Sequence, residues 1–329
     1  MIKLMKIWKP EIYQGRQHPK KYFEGWYFKI VSKDEGSIFA LIPGVSYGID
    51  GNEPHSFIQL IDGINCKSLY QTYDIKDFHY SEDDFQLWIG PNYFSDREVN
   101  IDLAANSLNL KGKLNFENTA PWPVSALSPG IMGWYAFVPF MECYHGIISM
   151  KHSIGGSLTT NNSSVDFTGG RGYIEKDWGR SFPSSWIWMQ SNYFEDPNVS
   201  FTASIARIPW FGRFFTGLIA GLSINGKLYR FATYTGASLE VLSLQSGNIS
   251  IRISDKHMYL DIHTRESSSG KLYSPRNGSM EGVIDESMSA DIHVTLGQIG
   301  YSPESSIFEG TGRNGGLEIV GDIRELQLH

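Results

Sequence analysis

The stretch GRGYIEKDWGRSFPSSWIWMQSNYF, Gly170–Phe194, sets Glu175, Lys176 and Asp177 directly beside Trp178 and follows them with Trp186 and Trp188. In an extended chain alternate side chains leave opposite faces. Tyr173, Glu175 and Asp177 then share one face, and Ile174, Lys176 and Trp178 the other. In the second half Trp186, Trp188, Gln190 and Asn192 share a face, opposed by Ile187 and Met189. Pro183 forbids ladder pairing in the bend 179–185 between the two halves. The Ile187/Met189 face reads as core, which leaves the tryptophan and amide face to line a cavity. An aromatic wall with few polar groups is the make-up of a ligand pocket, and a buried amide left unsatisfied costs about 1–3 kcal/mol. Two plainer readings stay open: tryptophans packed beside satisfied hydrogen bonds, and a surface turn in which Lys176 makes an ion pair.

A second run, KKYFEGWYFKI at Lys20–Ile30, puts Tyr22, Glu24, Trp26 and Phe28 on one strand face. A carboxyl among aromatic rings either pairs with a cation or rises in pKa, and the latter suits a general acid. The alternative is an exposed edge strand with Glu24 in solvent. A third run, GWYAFVPFMECYHGIISMKH at Gly133–His152, supplies Tyr135, Glu142, Cys143, His145 and His152. Glu142 and His145 have the i, i+3 spacing of a helical metal pair, but their flanks read as extended and no second pair exists. No metal is therefore expected, and His145 is read as structural or proton-handling. GTGRNG, Gly310–Gly315, matches G-x-G-x-x-G but precedes a strand-like GLEIVGDI, so it is read as a hairpin turn and not a dinucleotide site. The common hydrolase and nucleotide signatures are missing.

These residues need elements to hold them. Short runs rich in β-branched and aromatic residues, bounded by Gly, Asn, Asp, Ser or Pro, recur from end to end. More than a dozen such runs exceed what one sheet comfortably holds. Turn residues at Asn225-Gly226 and Asp50-Gly51-Asn52 predict antiparallel hairpins. A chain of 329 residues suggests about two domains. The expectation is an all-β chain of two lipocalin-like antiparallel β-barrels packed together, over residues 1–165 and 166–329. A barrel of about eight strands has room for one small apolar ligand. Ala120–Met132, with three prolines, is a linker or a long loop.

The net charge of −7 is spread without a basic stripe, so nucleic acid is not expected as a partner. Two cysteines, Cys66 and Cys143, are too few for a disulfide scaffold, and the N-terminal residues lack an apolar signal core. A cytoplasmic setting is expected. The longest apolar run, FFTGLIAGLSI, falls short of the ~18–20 residues a helix needs to span a bilayer. PWFGRFF, Pro209–Phe215, fits either peripheral membrane contact or core beneath a loop.

Taken in order, YFEGWYFK at Tyr22–Lys29, WYAFVPFMECYHGIISMKH at Trp134–His152 and the Gly170–Phe194 stretch resemble three motif blocks of the tocopherol cyclase family. More distantly the chain is similar to the carotenoid hydratase and lipocalin-like Diels–Alderase group, whose members have two β-barrel domains. The resemblance implies closure of a prenylated hydroquinone to a chromanol without a redox cofactor. Such a reaction needs an acid to protonate the prenyl double bond, a wall that tolerates a carbocation, and a grip on the phenol. Glu24 and Asp177 are the candidate acids and His145 a third catalytic group. Trp26, Tyr135, Glu175, Trp186, Trp188, Gln190 and Asn192 are the candidate substrate-binding residues, ring faces being worth about 0.5–2 kcal/mol each to a cation. No cofactor is expected, and the partner is an apolar small molecule. The rival expectation is a non-catalytic binding protein for a lipid or quinone.

Overall fold

The computed structural model describes residues 6–18, 20–48, 53–104, 108–139, 141–160, 163–245, 247–265, 267–301 and 305–327. Among them every regular element is a strand or a short 3-10 turn, and no helix is long and apolar enough to cross a membrane. The turn expected at Asp50-Gly51-Asn52 lies outside the described residues.

One antiparallel sheet holds β1 (Tyr22–Val31), β2 (Ile38–Tyr47), β3 (His55–Asp62), β4 (Lys67–Asp74), β5 (Phe78–Tyr80), β6 (Gln86–Ile89), β7 (Asn92–Ser95), β8 (Glu98–Leu103), β9 (Leu110–Glu117), β10 (Cys143–Thr160), β11 (Ser163–Asp166) and β12 (Gly170–Gly179). Its order is β4-β3-β2-β1-β12-β10-β9-β8-β7-β6-β5, with β11 paired to β10. A second antiparallel sheet holds β13 (Trp186–Ser191), β14 (Val199–Trp210), β15 (Arg213–Ile224), β16 (Lys227–Ala232), β17 (Ser238–Gln245), β18 (Asn248–Ser254), β19 (Met258–Arg265), β20 (Ser269–Arg276), β21 (Ser279–Gln298) and β22 (Phe308–Val320). Its order is β16-β15-β14-β13-β22-β21-β19-β18-β17, with β20 on β21. The all-β antiparallel expectation is met. Barrel closure is not among the pairings of the described residues, because neither path joins its two end strands.

The chain groups into two compact units, 1–182 with 270–284, and 183–269 with 285–329. The boundary expected near residue 165 falls inside the first unit and within β11, which pairs with β10 as β12 does. Ala120–Met132 joins β9 to β10 within that unit, so it is a loop, anchored by buried Trp122 and Ile131. GTGRNG is not a turn but part of β22, with Thr311 opposite His293 and Gly315 opposite Ala290. A Cβ at Gly312 would meet Ser191 Oγ at 2.6 Å, so glycine is needed there for close packing.

Each unit has its own core. In the first, Trp26, Phe28 and Ile30 of β1 pack with Leu41, Ile58 and Ile174. In the second, Ile187 and Met189 of β13 pack with Ile205 and Leu260. Fully burying each such side chain contributes about 1.5–3 kcal/mol.

β12 ends at Gly179, whose φ of +149° and position 2.3 Å (for an added Cβ) from the Glu142 carbonyl oxygen exclude a side chain. Gly179→Ala is expected to cost about 1–3 kcal/mol, read as a lower urea midpoint. An unchanged midpoint would show that this contact does not constrain the strand end.

Candidate functional site

Strand pairing sorts the expected site residues onto two faces of the first sheet. In β1 and β12, Glu24 stands opposite Trp178 and Trp26 opposite Lys176, whereas Tyr27 stands opposite Glu175 and Gly25 opposite Asp177. β10 continues the second row, with His145 opposite Asp177 and Ile147 opposite Glu175. Glu24, Trp26 and Lys176 therefore share the face of the core, with Phe28 and Ile174. His145, Glu175 and Asp177 lie on the reverse face. Glu24 and Asp177, the two expected acids, do not work on one surface.

On the core face, Lys176 and Glu24 are both fully buried and their Nζ and Oε1 are 2.5 Å apart. Lys176 Nζ also donates to the carbonyl oxygens of Pro10 at 2.8 Å and Ile12 at 2.6 Å. It lies 4.8 Å from the Trp26 ring centre and 4.7 Å from that of Trp178. Glu24 accepts from the Gln14 backbone N–H at 2.9 and 3.0 Å and from the Tyr22 hydroxyl. Trp26 Nε1 donates to the Glu11 carbonyl at 2.8 Å. Burial pulls the Lys176 pKa down, with Glu24 opposing it. All three ammonium protons have acceptors, which a buried cation requires. The group is a clasp that ties residues 10–14 to β1 and β12. Here the reading of Lys176 as an ion-pair partner holds, but in the core and not in a surface turn.

On the reverse face, His145 Nδ1 is 2.9 Å from Asp177 Oδ1, and His145 Nε2 is 3.7 Å from Glu175 Oε2. The Tyr173 hydroxyl donates to the same Glu175 oxygen, and Tyr27 meets the Tyr173 ring edge-on at 6.5 Å. Burial alone lowers the His145 pKa, but Asp177 first and Glu175 second outweigh it and raise it to about 9. The imidazole is thus charged at neutral pH. Cys143 Sγ approaches Asp177 Oδ1 at 3.9 Å, and burial, then Asp177, pushes its thiol well above the ordinary range. One donor atom each from His145, Glu175 and Asp177 lie within 4.8 Å of one another. The trio can therefore hold either a proton on His145 or a metal ion in its place.

The remaining expected residues lie elsewhere. Tyr135 sits in the 3-10 turn Gly133–Phe137, stacked on Trp134 at 4.1 Å. Trp186, Trp188 and Gln190 of β13, with Asn192 just beyond it, belong to the second unit. They are buried, on the face of β13 opposite Ile187 and Met189. Trp186 Nε1 donates to Glu318 Oε2 at 2.7 Å, whereas Gln190 Oε1 is buried with no hydrogen-bond partner among the described residues. The roles of Tyr173 and Tyr27 escaped the sequence reading. Tyr173 had a usable signal, being two residues before Glu175 on one strand face; Tyr27 gave none until the β1 and β12 register was known.

A tocopherol cyclase-like family model matches residues 108–321, more than half of the chain. The chain belongs to the tocopherol cyclase-like family. The matched range includes His145, Glu175 and Asp177 and leaves out Glu24. The probable chloroplastic tocopherol cyclase of Oryza sativa subsp. japonica is 28% identical over 117 residues, 34% of this chain and 25% of that protein. The chloroplastic tocopherol cyclase of Zea mays is 29% identical over 108 residues, 32% and 23%. The match spans about a quarter of the length of these plant relatives. A crystal structure of CghA with Sch210972 has a TM-score of 0.59 at 12% identity, over 92% of this chain and 89% of that one. That likeness is one of fold.

Proposed function

We propose that this tocopherol cyclase-like chain is an isomerase that closes a prenylated phenol or hydroquinone to a chromanol, on a fold of two lipocalin-like barrels, with His145 as proton donor. Family membership supports the reaction class. The observation that carries the residue assignment is the placing of His145 between two carboxylates, Asp177 at 2.9 Å and Glu175 at 3.7 Å, which outweigh burial and raise its pKa to about 9. Asp177 holds Nδ1 at 2.9 Å and so aims the ring. The looser Nε2–H, 3.7 Å from Glu175, is the proton to give.

The step balances without an outside reagent. The Nε2 proton goes to the less substituted alkene carbon and forms a C–H bond. The phenol oxygen closes on the more substituted carbon, forming the C–O bond, while its own proton passes to the Glu175 carboxylate. Glu175 then returns that proton to His145 Nε2. Concerted closure avoids a free tertiary cation, which a donor as weak as an imidazolium could not sustain alone. A positioned acid and base of this kind contribute about 10²–10⁴-fold.

In heavy water the chromanol should carry one solvent deuterium, at the carbon that received the proton, when a short-chain prenyl hydroquinone is supplied. Turnover should stay level through neutral pH and fall as pH rises through about 9, where His145 loses its charge. A product without deuterium, or a rate that climbs past that pH, would remove His145 as the donor.

One observation favours a second reading, a carrier without chemistry. Gln190 Oε1, buried without a partner beside Trp186 and Trp188, is an acceptor suited to a ligand hydroxyl. In that case Gln190→Leu weakens quinol binding about tenfold, the bound quinol is recovered unchanged, and His145→Gln leaves affinity untouched.

A further inference from the structure

The hairpin joining β14 to β15 runs past its core. Ala206 and Leu218 are its last buried side chains, and none from Arg207 to Gly217 is buried. Yet this stretch carries Ile208, Pro209, Trp210, Phe211, Phe214 and Phe215. Phe211 is 87% exposed and Phe214 51%. Trp210 meets Phe211 edge-on at 5.3 Å and Phe215 at 5.8 Å. The Arg207 guanidinium covers the Phe214 ring at 3.5 Å. The rings contact one another and a cation, and their outer surface is left to solvent.

The turn itself argues that this exposure is selected. Its two central residues are Phe211 at φ +46° and Gly212 at φ +77°. A two-residue turn of that kind favours Asn-Gly, and this protein uses Asn-Gly at two similar turns, Asn225–Gly226 at +51° and +80° and Asn277–Gly278 at +50° and +84°. At the third, a bulky aromatic residue takes the left-handed position, at a cost of about 1–3 kcal/mol. Its ring gains almost no burial in return.

The hairpin's own stretch of chain carries basic charge only, and the acid that reaches it, Glu325, comes from the 3-10 turn Ile323–Gln327. From Pro197 to Leu239 there are Arg207, Arg213, Lys227 and Arg230 and no Asp or Glu, in a chain whose net charge is −7. Arg207 Nε lies 3.6 Å from Glu325 Oε2, whereas exposed Arg213 makes no ion pair among the described residues. Aromatic side chains ringed by arginine are what a protein places at the boundary between lipid headgroups and acyl chains.

We propose that the tip of this hairpin, residues 207–217, docks on a lipid surface carrying anionic headgroups, with Phe211 and Phe214 entering the acyl boundary and Arg213 pairing with phosphate. The proposal stands apart from the cyclisation reading and holds for an enzyme or a carrier alike.

The test is sedimentation of the full-length protein with vesicles of phosphatidylcholine alone or with a quarter phosphatidylglycerol. Wild-type protein should bind the anionic vesicles more tightly. Phe211→Asn should weaken binding at least about tenfold without lowering the thermal midpoint, since asparagine suits the left-handed turn. Arg213→Gln should weaken it about fivefold on anionic vesicles alone. Vesicles that fail to pull down the wild type, or a Phe211→Asn variant that binds as the wild type does, would overturn the proposal. So would a wild-type dimer, split by Phe211→Asn, that ignores vesicles, because the tip would then serve self-association.

Discussion

Lys176→Met is expected to cost about 3–5 kcal/mol, because it leaves the fully buried Glu24 carboxylate without its cation. Four further contacts are lost with it: the carbonyl oxygens of Pro10 and Ile12 lose their donor, and the Trp26 and Trp178 rings lose the ammonium near them. The measurement is the denaturant midpoint, with the slope checked for constancy. The double variant Glu24→Gln, Lys176→Met should recover more than half of the loss, since the amide still accepts from Gln14 N–H and carries no charge. A single variant as stable as the wild type, or a double variant no better than the single, would show that the clasp contributes little.

His145→Gln is expected to lower turnover about 10²–10⁴-fold with little change in substrate affinity. A merely structural histidine predicts something different, so a second readout is useful. Burial lowers the His145 pKa, but Asp177 and Glu175 raise it from 6.5 to about 9. A group with a raised folded pKa contributes stability fully present below 6.5 and lost as pH rises through about 9. For this shift the amount is on the order of 3 kcal/mol. Wild-type stability should therefore decline across that window, and the variant's should not. If turnover survives in His145→Gln while the pH dependence of stability disappears, His145 is a structural cation and the chemistry belongs elsewhere.

Much of this was legible in the residues because strand parity is rigid. The strand expected within Lys20–Ile30 is present as β1, and Trp186, Trp188 and Gln190 lie, as expected, on the side away from Ile187 and Met189. Parity cannot say which face of a strand is inside. For β12 it separated Glu175 and Asp177 from Lys176, but nothing local announces that the lysine is the residue facing the core. That follows from Glu24, which is brought opposite β12 only by the antiparallel register of β1. The same register set Glu24 and Asp177 on opposite faces, although both had been read as acids of one site. Grouping 270–284 with 1–182 was illegible for another reason. It rests on contacts such as those of Gln59, whose side chain donates to the Tyr273 carbonyl at 3.0 Å and accepts from its N–H at 2.8 Å. No sequence period records a bond between positions 214 apart.

The clasp also sets a schedule for synthesis. Pro10 and Lys176 are 166 positions apart, so residues 10–14 and Glu24 leave the ribosome long before their cation exists. At about 5–20 residues per second the delay is on the order of ten seconds or more. Throughout it Glu24 has to stay hydrated, so β1 cannot lay down its aromatic face for good. The core face of the first unit is thus completed only when β12 arrives beside β1.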